Sequence, residues 1–122
     1  MSDSIICERA SEFAYRILKL CDRLWQRGPI GRHLAGQLMR CGTSVGSNAE
    51  EAQEGQTKPD FIAKLSVSRK EAREANWWLR LAIRVGVVTR DEVQWELSES
   101  AQLLSMIRSA IKTAQRSSSR NP

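Results

Sequence analysis

Apolar residues recur along this chain at steps of three and four, in four successive stripes. Ile6, Ala10, Phe13, Ile17, Leu20 and Leu24 share one face of a helix predicted from about Ile6 to Arg27. Gly28-Pro29 ends it, because proline lacks a backbone donor and restricts the residue before it. Leu34, Leu38, Cys41, Val45, Ala49 and Ala52 mark a second helix from about Gly31 to Glu54, its stripe shrinking to small residues toward the end. Gly42 and Gly46 sit inside that helix. An interior glycine costs about 0.5–1 kcal/mol relative to alanine, so another helix is expected to approach closely there. Gly55 occupies the position after a helix that glycine favours.

Thr57-Lys58-Pro59-Asp60 has the form of a capped helix start, and a third helix is predicted from about Pro59 to Val85, with Gly86 closing it. Phe61, Leu65, Ala72, Leu79 and Ile83 mark its core face. Thr89 and Glu92 repeat the capping pattern before a fourth stripe of Val93, Leu97, Leu104, Ile107 and Ile111. No strand alternation and no internal repeat appears. Short turns between long helices predict an all-α fold, an antiparallel up-down-up-down four-helix bundle over residues 1–116. The polar residues 117–122 are expected to form a disordered tail.

Composition changes this picture only through charge. Lys plus Arg is 19 and Asp plus Glu is 14, a formal charge of +5. Such a balance favours nucleic acid, anionic surfaces or acidic proteins as partners. No apolar run approaches the roughly 20 residues that span a membrane, and no signal-peptide pattern opens the chain, so a cytoplasmic protein is expected. Three widely spaced cysteines, Cys7, Cys21 and Cys41, do not suggest a disulfide framework. With one histidine, His33, they form no metal set, and no metal or cofactor is expected.

Two arginine stripes stand out. Arg9, Arg16, Arg23 and Arg27 share one face of the first helix, and Arg69, Arg73, Arg80 and Arg84 one face of the third. The guanidinium fork suits phosphate, so both stripes are candidate nucleic-acid contacts. The alternative is a solvated face paired with acids such as Glu8, Glu12, Glu71 and Glu74. On the second helix Gln37, Ser44, Asn48 and Glu51 flank the apolar stripe. They read either as a structural hydrogen-bond network, with Lys64, Lys70 or Glu71 as candidate partners, or as a ligand contact.

The third helix has a second apolar edge of Trp77, Leu81 and Val85, with Trp78 and Val67 beside it, and Trp95 lies opposite the core face of the fourth. A helix apolar on two faces needs a second partner, so Trp77, Trp78, Leu81, Val85 and Trp95 are the candidate subunit interface. Base stacking on tryptophan is the other reading. Signals for an enzyme are missing: Ser44 and Cys41 have no histidine beside them in the pattern, and no Glu-x-x-His pair or phosphate-binding glycine loop occurs.

The run Gly42-Thr43-Ser44-Val45-Gly46-Ser47-Asn48 is followed by Glu51-Ala52, Gly55-Gln56, Asp60-Phe61-Ile62-Ala63-Lys64, and Lys70-Glu71-Ala72-Arg73-Glu74 before Trp77-Trp78-Leu79. This succession resembles the four-helix-bundle family first associated with intervening sequences in bacterial 23S ribosomal RNA genes. The likeness is strong from Gln37 to Leu81, weak back to Phe13-Ala14, and a matter of pattern alone in the fourth helix. Ala75 stands where threonine is usual and Trp77 where tyrosine is usual. The resemblance implies a bundle that assembles into a ring, commonly a homopentamer, with no known catalytic activity and no established ligand residues. A more distant likeness is to the accessory variability protein of diversity-generating retroelements, a basic pentamer that partners a reverse transcriptase and binds nucleic acid. The expectation is a non-enzymatic homo-oligomer that binds RNA, DNA or a nucleoprotein through its basic faces. The alternative is a protein-interaction module without nucleic-acid binding.

Overall fold

The computed structural model describes residues 2–120, with side chains over 5–117. Four helices carry the chain: α1 (Ser2–Trp25), α2 (Gly28–Gln53), α3 (Lys58–Arg84) and α4 (Arg90–Arg120). Each packs on the next and α4 returns to α1, while the diagonal pairs stay apart among the described residues. Cross-helix bonds show the antiparallel sense. Arg9 meets Glu99 whereas Arg27 meets Glu92, and Glu51 faces Lys64 whereas Arg40 faces Glu71.

The turns follow local chemistry. Thr57 Oγ1 accepts from the Asp60 amide at 3.2 Å, and Thr89 Oγ1 from the Glu92 amide at 3.2 Å, so each hydroxyl satisfies a first-turn donor. Gly28 and Gly86 adopt φ of 79° and 83°, which side-chain-bearing residues avoid. Gly55 does not take a positive φ. A Cβ there would instead lie 3.1 Å from the Ala52 carbonyl and 3.3 Å from the Phe61 amide, so the tightness of the α2–α3 turn explains it. Of the segment expected as a tail, α4 includes residues 117–120, and residues 121–122 lie outside the described ones.

The stripes predicted on α1 and α2 are buried throughout. On α3 the core runs through Leu65, Ser68, Ala72, Ala75, Leu79 and Ala82, with Phe61 and Ile83 only half-buried. On α4 the expected Leu104 is half-buried and Leu103 is fully buried in its place. A straight wheel puts Leu104 with Val93. The buried arc of α4 instead extends to the other side of Val93, through Ser100, Ile107 and Ala114, and takes in Leu103. Polar groups tie this core to its neighbours. Ser68 Oγ donates to the Val45 carbonyl at 2.7 Å, and Asn76 Nδ2 to Ser100 Oγ at 2.9 Å.

Candidate functional site

The arginines of α1 face α4. Arg9 forks onto Glu99, with Nε and an Nη each 2.8 Å from a carboxylate oxygen, and also donates to Gln102. Arg23 and Arg27 share Glu92 at 3.1 and 2.7 Å, and Arg27 further donates to the Val87 carbonyl. The Glu92 carboxyl is held below its usual range, chiefly by the hydrogen bond from Arg27, against its own burial and with help from Arg23. Arg16 lies 4.2 Å over the Trp95 ring and 4.0 Å from Glu12. The face expected to meet phosphate is therefore the α1–α4 seam, its cations matched by carboxylates or an indole. Trp95, expected at a subunit interface, is half-buried beneath Arg16.

The arginines of α3 are placed differently. Arg80 donates Nε to Asn76 Oδ1 at 2.9 Å. Arg69, Arg73 and Arg84 make no ion pair or hydrogen bond with any described residue; Arg73 and Arg84 are exposed and Arg69 is half-buried. Arg90, not singled out from sequence, opens α4 beside the end of α3. It joins Trp77, Arg80, Leu81, Ile83 and Arg84 around a cleft of about 510 Å³.

Trp77 and Val85 are 48% and 49% exposed, whereas Trp78 and Leu81 are half-buried. With Ile30, His33 and Leu34 of α2 they line an apolar groove of about 450 Å³. Trp78 packs edge-to-face on both His33 and Trp77, and its indole N–H donates to Glu74 at 3.0 Å. A second apolar surface, which unlike the first was not singled out from sequence, joins Leu18 and Trp25 of α1 to Met39 of α2.

The polar flank of α2 is mostly local. Asn48 Nδ2 donates to the Ser44 carbonyl of its own helix at 2.9 Å, and exposed Glu51 stands 3.9 Å from Lys64. Gln37 accepts from Arg40 at 3.3 Å. Arg40 also bridges α2 to α3, pairing with both Glu71 and Glu74. The sequence signal was Glu71, Glu74 and Trp78 at helical spacing, opposite a cation that pairing order alone does not identify.

Burial pushes the Cys21 and Cys41 thiols up to about 12, with the Glu74 charge adding at Cys41, so neither is a thiolate at neutral pH. Among the described residues no group of three or more His, Cys, Asp or Glu could hold a metal ion. No helix is long and apolar enough to cross a membrane.

A crystal structure of a protein of unknown function from the S23 ribosomal protein family, from Bacteroides thetaiotaomicron, superposes with a TM-score of 0.85. It is 35% identical, and the likeness covers 92% of this chain and 99% of that one. No curated protein matches the chain. The profile of the 23S rRNA-intervening sequence protein family matches residues 2–109, spanning α1 to α3 and most of α4. The four packed helices and the glycine-bearing α2 thus carry a sequence pattern shared over nearly the whole chain, which belongs to the 23S rRNA-intervening sequence protein family.

Proposed function

We propose that this protein is a non-catalytic, self-associating helical scaffold that binds nucleic acid, RNA foremost, along α3. The observation that carries this reading is the contrast between the two arginine rows. The α1 row is matched by Glu92 and Glu99, whereas Arg69, Arg73 and Arg84 meet no carboxylate among the described residues. Unmatched exposed guanidinium groups suit phosphate, and the formal charge of +5 adds a long-range attraction. The family's association with 23S ribosomal RNA in its name points the same way.

The two apolar surfaces favour self-association. One lies in the α2–α3 groove around Ile30 and Val85, the other between α1 and α2 around Leu18 and Trp25. Two different surfaces meeting head to tail close into a ring when the rotation allows, and five subunits are favoured by the family resemblance. A ring repeats the α3 row in every subunit, turning weak contacts into multivalent ones.

RNA and DNA titrations at about 50 and 200 mM salt test the nucleic-acid reading, because phosphate-dominated affinity falls steeply over that range. Binding at the lower salt that is lost on changing Arg73, Arg80 and Arg84 to Glu, with helicity unchanged, is the expected result. No binding at the lower salt, or affinity indifferent to both salt and substitution, leaves the protein-interaction module in its place.

A further inference from the structure

The cleft between the end of α3 and the start of α4 combines features that charge pairing alone does not explain. Three arginines, Arg80, Arg84 and Arg90, line it together with Trp77, Leu81 and Ile83, and no acidic residue does. Arg84 and Arg90 make no ion pair or hydrogen bond with a described residue, and Arg80 has only its Nε engaged, by Asn76. The nearby acids are otherwise placed. Glu74 is held by Arg40 and Trp78, and Glu92 by Arg23 and Arg27, while Asp91 is exposed and does not line the cleft. Three like charges around one opening repel one another unless an anion lies between them.

The indole adds a second requirement. Trp77 is held edge-to-face on Trp78, with ring centroids 4.9 Å apart and planes at 79°, yet it remains 48% exposed. A fixed, half-open aromatic beside several cations matches a flat ring attached to phosphate. The cleft, about 510 Å³, has the size of a small-ligand site. Beyond it the row continues through Arg73 to Arg69, about 22 Å along α3 from Arg84 at 1.5 Å per residue. That length serves several successive phosphates rather than one free nucleotide.

We propose that this cleft seats one nucleotide of a single strand, its base stacked on Trp77 and its phosphate held by Arg80, Arg84 and Arg90. The proposal rests on the nucleic-acid reading above and narrows it to unpaired strands, because the bases of a duplex are already stacked and cannot reach the indole. Base–aromatic stacking tolerates any base, so little sequence preference is expected.

The test uses the full chain, an oligouridylate of about twelve nucleotides carrying one 5-iodouracil, and a duplex of equal length. The single strand is expected to bind about ten-fold tighter than the duplex, the scale of one stacked base. Irradiation is expected to place the adduct on Trp77. Trp77→Ala should cost about ten-fold while Trp77→Phe retains most of the affinity. Light scattering on each variant checks that assembly is unchanged; should Trp77→Ala alter it, the cross-link and Trp77→Phe carry the test. Changing both Arg84 and Arg90 to Gln should lower the slope of log affinity against log salt by about 0.7, the share of the one phosphate they help to hold. Equal affinity for strand and duplex, an adduct on Trp25 or Trp95 alone, or an unchanged slope overturns the proposal. Tight duplex binding sinks only the cleft, whereas no binding of either probe sinks the nucleic-acid reading itself.

Discussion

Gly42 and Gly46 lie one helical turn apart on α2, both buried, but a side chain would meet different surroundings at each. At Gly42 a Cβ would stand 2.7 Å from Ile17 Cγ2 and 3.2 Å from Ile17 Cβ, and Ile17 is fully buried with no room to retreat. At Gly46 the nearest atoms, of Ala10, are at 3.5 Å, an ordinary contact. Helix propensity favours alanine at both positions by about 0.5–1 kcal/mol, so the sign is decided by α1. Gly42→Ala is expected to lose about 1–2 kcal/mol net, overpacking outweighing propensity. Gly46→Ala is expected to gain about 0.5–1 kcal/mol, since only the propensity changes. Urea melts of the two variants check this; shifts of the same direction would show that α1 does not approach α2 as described.

At the scale of elements, α1 and α4 share the least contact of the four adjacent pairs, and ion pairs add to the apolar core they have in common. Glu92 receives both Arg23 and Arg27, and Glu99 receives Arg9 as a fork. Hydrogen bonds to charged groups contribute about 1.5–3 kcal/mol when shielded, less where the arginines are partly exposed as here. Glu92→Gln is therefore expected to cost about 1–2 kcal/mol and Glu99→Gln a similar amount. The pH dependence follows from the direction of the shift. The folded-state value of Glu92 lies below its ordinary 4.5, so the unfolded chain takes up the proton first. This stability is complete above pH 4.5 and is lost as pH falls through the lower folded value. Acid melts should then show the unmodified protein losing more stability below pH 4.5 than Glu92→Gln does. Parallel acid curves for the two would mean that the seam carries no such linkage.

At the scale of the molecule, the α2–α3 groove and the α1–α2 surface remain open after the bundle has closed. Ile30 and Val85 are 58% and 49% exposed, and Leu18 and Trp25 are 44% and 48% exposed. A single bundle offers these side chains nothing further to pack on, which motivates the proposed assembly. Val85→Glu places a charge in the α2–α3 groove without touching the arginine cleft, and Leu18→Glu does so at the second surface. Each change alone is expected to release monomers if the two surfaces meet head to tail. Light scattering at micromolar concentration reads the outcome, and a monomeric unmodified chain would remove the ring from the proposal.

The pattern of apolar positions determined the four helices, their order and most of the core, because a 3.6-residue period and the caps at Thr57 and Thr89 are local properties. The stretch from Gln37 to Leu81 likewise carried the family. Pairing across helices was not local. Arg9, Arg23 and Arg27 formed as good a row as Arg73, Arg80 and Arg84 in the linear chain. What separates them is that α4 turns Glu92 and Glu99 toward α1, while no described residue offers a carboxylate to Arg73 and Arg84. Arg90 came beside Arg84 only because the turn after α3 folds back, and Leu103 replaced Leu104 because the neighbouring helices cover the side of α4 that carries Ser100, Ile107 and Ala114. Periodicity fixes which residues share a face, and packing alone decides what that face meets.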